Sequence, residues 1–144
     1  VTPGAVDRRI VRRHLMALRE AVSILRRHAG RPLATLHDAE ERWTVERGLE
    51  LAAQNVLDVA THLVAAAGKD APDYASAVDA LADLRVLPAE FTQRLRGLAG
   101  FRNVLVHGYL EVDPAILRRQ LDHGLDDLLI FADRVEEFLQ RLEE

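Results

Sequence analysis

The chain has 144 residues, 49% hydrophobic but only 5% aromatic, with a formal net charge of −4 and no cysteine. The missing cysteine excludes disulfides, thiolate zinc sites and iron–sulfur clusters. The acidic balance argues against non-specific coating of nucleic acid, although a nuclease needs only local positive potential.

This length suits one domain with a proper core, expected over residues 1–144. A core drawn from Leu, Val and Ala favours a helix bundle over a β-sandwich. No stretch approaches the roughly 20 apolar residues of a membrane span, and Val1-Thr2-Pro3-Gly4 has no signal-peptide pattern. The expectation is a cytoplasmic protein without membrane contact.

The first helix is expected from about Ala5 to Ala29. Val11, Leu15, Leu18, Val22 and Leu25 recur at spacings of four and three, which sets them on one stripe, and Gly30 and Pro32 end it. Arg8, Arg9, Arg12 and Arg13 crowd its first turns, against the sign the helix dipole favours there. They read either as a solvated face or as a rim that attracts RNA or a protein.

A second helix opens at Asp38 as N-cap, carries Glu40 and Glu41 in its first turn and runs to Ala67 before Gly68. Val45, Leu49, Ala52, Val56, Val59 or Ala60, and Leu63 make its apolar stripe. Arg47, Asn55, Asp58 and His62 fall on roughly one further face. Asp58 and His62, four apart among apolar neighbours, require hydrogen-bond partners. They are either a structural pair in the bundle or support for a site. A di-metal bundle would want Glu-x-x-His repeats on two helices, and the sequence has none.

Gly68 to Tyr74, with Pro72, reads as a loop, and Ala75 to Leu84 as a short helix. Pro88 is placed to start the next helix, whose Phe91, Leu95, Leu98 and Phe101 recur at helical spacing. The last helix starts near Pro114 and runs almost to the end. Leu117, Leu121, Leu125, Leu128, Ala132, Val135, Leu139 and Leu142 form its seam, which suits bundle packing or a partner helix.

The chemistry concentrates in Phe101-Arg102-Asn103-Val104-Leu105-Val106-His107-Gly108-Tyr109. Arginine is a fixed cation whose planar fork matches phosphate oxygens. Histidine moves protons near neutral pH. RNA carries its own nucleophile, the ribose 2′-hydroxyl, so a site must remove that proton, stabilise the phosphorane oxygens and protonate the leaving 5′-oxygen. His107 fits base or acid, and Arg102 fits the non-bridging oxygens. Asn103 is placed to position the phosphate or the histidine, and Tyr109 to contact RNA or orient His107. Such a route gives a 2′,3′-cyclic phosphate and needs neither metal nor cofactor.

Residues five apart on a straight α-helix point some 140° away from each other. For Arg102 and His107 to act on one phosphate, the helix cannot simply continue between them, and Gly108 and Pro114 suggest an end near here. The alternative is a site composite across a symmetric dimer, and both can hold together. On spacing alone the motif also has a bland reading, because a histidine beside a glycine at a helix end is often a cap.

This segment resembles the R-x4-H-x-Y signature of HepT-like toxins, ribonucleases of the HEPN superfamily. The resemblance extends to Glu46-Arg47, Leu49, Asn55, Asp58-Val59-Ala60 and His62-Leu63, to Pro72-Asp73-Tyr74, and to Val112-Asp113. It implies an all-α, HEPN-like bundle of four long helices plus one short helix. It also implies a homodimeric RNase toxin with Arg102 and His107 catalytic, and Asn103, Tyr109, Asp58 and His62 supporting the site or binding RNA. The implied partner is an MntA-like nucleotidyltransferase antitoxin that transfers AMP to Tyr109. An adenylate beside Arg102 occupies the phosphate site and blocks RNA. The competing reading is a non-catalytic helical module that binds nucleotide or partner beside a nucleotidyltransferase. A third is a scaffold whose last helix makes an oligomer.

Overall fold

The computed structural model describes residues 5–108 and 112–143, all helix and connecting turn. Seven α-helices follow in order: α1 Arg8–Arg26, α2 Ala39–Ala66, α3 Tyr74–Asp83, α4 Ala89–Leu95, α5 Leu98–His107, α6 Pro114–His123 and α7 Leu125–Leu142. A 3₁₀ turn, Leu33–His37, joins α1 to α2.

Aspartates start four of the helices. The carboxylates of Asp7, Asp38, Asp73 and Asp113 accept from the backbone N–H of Ile10, Glu41, Ser76 and Ala115, which satisfies donors that have no partner inside the helix. At the other end of α2 the chain turns through Gly68 at φ 74°, a left-handed conformation that a Cβ would strain.

α2 is the axis of the bundle. It packs against α1, α3 and α5 and touches the 3₁₀ turn, α6 and α7, while α1 lies between α2 and α7. The expected stripe of α1 is fully inside, as is that of α2. The C-terminal seam is also buried from Leu117 to Leu139, whereas Leu142 remains 42% exposed. Buried side chains from all the helices except α5 form one continuous core.

Two expected long helices are each divided. The helix opening after Pro88 breaks at Arg96 and Gly97 into α4 and α5, and the C-terminal one breaks at Gly124 into α6 and α7. At Gly124 the backbone stays in the right-handed region (φ −100°, ψ −17°), so the leucine seam crosses the break with little loss of phase. Three helices are long, with 19, 28 and 18 residues in α1, α2 and α7. The count of four long helices and one short is thereby corrected, while the all-α bundle stands.

The arginines of α1 meet the acids of α7. Arg12 bonds Glu136 and Glu143 (3.2 and 2.9 Å), Arg19 bonds Asp133 (2.9 Å) and Arg26 bonds Asp126 (2.5 Å). Arg8 lies 3.7 Å from Glu143 and donates to the Leu142 carbonyl. This ladder holds two exposed faces in register, and Glu136 and then Glu143 raise the pKa of Arg12. Of the four crowded arginines, Arg8 and Arg12 therefore serve α7, leaving Arg9 and Arg13 outside the ladder. Among the described residues no helix is long and apolar enough to cross a membrane.

Candidate active site

α5 carries the motif and is unlike the other helices, since none of its residues is buried. It lies on α2 and touches α3. Phe101, Leu105 and Val106 are half-buried, and Val104 is 47% exposed. An apolar helix left this open on a bundle is a surface with room for a further partner.

Arg102 is held from below. Its Nε–H donates to Gln54 Oε1 on α2 at 2.8 Å, and Nη1 donates to Asn103 Oδ1 at 3.1 Å. Its guanidinium carbon stands 6.0 Å from the centre of the Tyr74 ring, at the first residue of α3, near the outer limit of a cation–π contact. The amide nitrogen of Gln54 donates to Asp58 Oδ1 at 2.7 Å and reaches the Tyr74 hydroxyl at 3.4 Å. Both ends of the Gln54 amide are thereby assigned. An arginine N–H accepts nothing and a carboxylate donates nothing, so the oxygen faces Arg102 and the nitrogen faces Asp58.

His107 is the exposed last residue of α5. The helix does not end between Arg102 and His107: Asn103-Val104-Leu105-Val106 contains no breaker, and the turn comes only at Gly108 (φ −82°, ψ 63°). The first of the two options for a shared phosphate, a helix end between the two residues, is overturned. In one chain the two side chains leave α5 about 140° apart. Tyr109, and with it the AMP-transfer position, lies outside the described residues.

The polar set expected on α2 separates. Asp58 joins Arg102 through Gln54, whereas His62 Nε2 accepts from the Asp7 backbone N–H at 3.0 Å. Asn55 Oδ1 meets His14 Nδ1 at 2.8 Å, and Arg47 pairs with Glu50 at 3.2 Å. Asp58 and His62 thus have their hydrogen bonds without bonding each other. Gln54 and Tyr74 escaped sequence reasoning as members of the site. The available signal for Gln54 was its place one turn before Asp58, a spacing at which Gln and Asp side chains bond on a helix.

Asp73, the cap directly before Tyr74, has its carboxyl held below the ordinary value by the Ser76 backbone N–H and then by the Ser76 side chain. Among the described residues no three His, Asp or Glu side chains gather as a metal site.

The fold is that of HEPN helical bundles. It superposes on an AMPylated HEPN toxin of Shewanella oneidensis, in complex with its MNT antitoxin, with a TM-score of 0.80 at 19% identity, covering 89% of this chain and 97% of that one. The Bacillus subtilis cytosolic protein YutE gives a TM-score of 0.82 at 20% identity, over 94% and 92% of the two chains.

The sequence places the chain more closely, since the model of the HepT-like ribonucleases matches residues 18–135. The chain belongs to the HepT-like ribonuclease family. It is 25% identical over 111 residues to the tRNA nuclease HepT of Aphanizomenon flos-aquae, covering 76% of this chain and 75% of that protein. An archaeal relative from Archaeoglobus fulgidus is 31% identical over 90 residues, 62% of this chain and 68% of its own.

Proposed function

We propose that this protein is a metal-independent endoribonuclease toxin that cleaves RNA by attack of the 2′-hydroxyl. The observation that carries the reading is the placement of Arg102 and His107 on one open helix, with Arg102 already oriented by Gln54. His107 accepts the 2′-hydroxyl proton as O2′ attacks phosphorus and the bond to the 5′-oxygen breaks. The imidazolium so formed, or water, returns a proton to the departing 5′-oxygen, which leaves as a hydroxyl. Arg102 balances the charge that gathers on the non-bridging oxygens, and Asn103, bonded to Arg102, contacts the same phosphate. The products are a 2′,3′-cyclic phosphate end and a 5′-hydroxyl end.

The protein acts as a homodimer. The exposed Val104 and the half-buried Phe101, Leu105 and Val106 of α5 support this, and so does the angle between Arg102 and His107, which a second copy resolves by supplying one of the pair. In this reading His62, which accepts from the Asp7 N–H at the start of α1, braces the bundle. Like the Shewanella toxin held by its MNT antitoxin, this chain is paired with an MntA-like nucleotidyltransferase, which silences it by transferring AMP to Tyr109.

The test is expression of wild-type, Arg102→Ala and His107→Ala protein in cells, with growth and RNA integrity followed together and the 3′ ends of fragments mapped. Arrest with cyclic-phosphate ends in the wild type alone supports the toxin. Intact RNA and normal growth with folded, unmodified protein overturn it. A second reading, a non-catalytic module accessory to a nucleotidyltransferase, draws on the net charge of −4 and on an arginine-rich α1 whose charges are largely met by α7.

A further inference from the structure

Gln54 is bonded at both ends of its amide and joins three elements. We infer that Gln54, braced by Asp58, is a positioning residue for Arg102, and that it makes the arginine engage a phosphate with its tip rather than its side. The inference rests on the phosphate-holding role proposed for Arg102.

A bland account is available for part of this geometry. Gln and Asp four apart on a helix bond each other as an ordinary surface pair. That account explains the 2.7 Å contact between Gln54 and Asp58 but neither of the others. The Gln54 oxygen accepts from an arginine on a different helix at 2.8 Å. The same amide nitrogen reaches the Tyr74 hydroxyl on a third, and the Tyr74 ring faces the guanidinium. A solvent-facing pair has no reason to gather a second helix and an aromatic ring on a third.

The consequence for Arg102 follows from its donor set. Guanidinium grips a phosphate either along its side, with Nε and one Nη, or at its tip, with both Nη groups. Gln54 occupies Nε, which closes the side-on mode. Asn103 takes one N–H of Nη1, leaving the other Nη1 hydrogen and the whole of Nη2 for an end-on grip. Asp58 matters because, without a carboxylate to receive the amide nitrogen, the Gln54 amide is free to flip and turn that nitrogen toward Nε. The chain Asp58–Gln54–Arg102 therefore fixes which edge of the arginine meets RNA before RNA arrives, the preorganisation that favours charge stabilisation in a transition state.

An exchange of hydrogen-bond polarity tests this. Gln54→Leu lowers kcat on a short RNA about 100-fold with little change in KM or thermal midpoint. Gln54→Glu sets a carboxylate against Asp58 and is similarly impaired. In Gln54→Glu/Asp58→Asn the amide and carboxylate trade places, Arg102 keeps its acceptor, and kcat returns to within about 10-fold of wild type. The Arg102 Nε–H signal in 15N-arginine NMR exchanges slowly in the wild type and in the double variant, and rapidly in Gln54→Leu. Wild-type cleavage by Gln54→Leu while Arg102→Ala is silent overturns the positioning role, as does a double variant no better than Gln54→Glu. If Arg102→Ala itself cleaves normally, the catalytic reading of Arg102 falls instead. The Nε–H signal then still decides whether Gln54 holds the side chain, and a signal unchanged in Gln54→Leu overturns that as well.

Discussion

Arg102 and His107 share one unbroken helix and leave it roughly 140° apart, so a single chain does not bring them to one phosphate by helix geometry. A site made of Arg102 from one copy and His107 from the other has a signature. Arg102→Ala and His107→Ala proteins are each inactive, yet mixing them after dissociation and reassociation restores about a quarter of wild-type cleavage. Half the reassembled dimers then hold both variants, and one of their two sites is intact. No recovery in a mixture shown to exchange subunits places both residues of each site on the same chain.

Gly108 closes α5 just after His107. A Cβ there would lie 2.7 Å from the Val104 carbonyl oxygen and 3.0 Å from Val112 Cγ2. The first is backbone and cannot swing aside, so Gly108→Ala has to unwind the last turn or push the following segment outward. The expected cost is about 1–3 kcal/mol of stability, with a fall in cleavage from displacement of His107. Thermal unfolding and turnover measured on the same preparation check this, and unchanged values for both contradict the steric account.

Arg118, 9% exposed, ties α6 to the end of α1 and the 3₁₀ turn. It donates to the His28 carbonyl and to Thr35 Oγ1, and its Nε lies 3.5 Å from Asp122. Arg118→Ala leaves that carbonyl and Asp122 without their cation and is expected to lose about 1–3 kcal/mol. Urea titration gives the figure. Arg118→Ala/Asp122→Ala is expected to lose less than the sum of its parts.

The cap at Asp73 gives a pH dependence with a definite sign. Its folded pKa lies below the ordinary carboxylate value, so the ionised carboxylate binds the α3 terminus and its stabilising effect is complete above the unfolded value. It is lost as pH falls through the folded pKa. The gap in thermal midpoint between wild type and Asp73→Asn is therefore expected to be constant above about pH 5 and to narrow below about pH 4. A gap that widens toward acid reverses the assignment.

The packed stripes were legible in the sequence, because Val11 to Leu25 and Leu117 to Leu139 follow helical spacing wherever they are buried. The break at Gly124 was not, since a seam that keeps its phase hides a local turn. At the site, Arg102 and His107 announced themselves by residue type and by a known signature. Gln54 did not, because an uncharged amide marks no chemistry until a second helix supplies its partner. His62 shows another limit: helical spacing does not say which neighbour a side chain will meet, and its Nε2 accepts from the Asp7 N–H at the start of α1.

The ladder of α1 arginines on α7 acids also sets how this protein meets a polyanion. A phosphate chain arriving on that flank finds Arg12, Arg19 and Arg26 already paired with Glu136, Glu143, Asp133 and Asp126 and has to displace carboxylates to bind them. Few condensed counterions are then released along the flank, so the affinity for RNA changes only gently with salt. Under the proposed function, recognition then falls mainly to the groups around α5, and RNA is engaged at one spot rather than along a track.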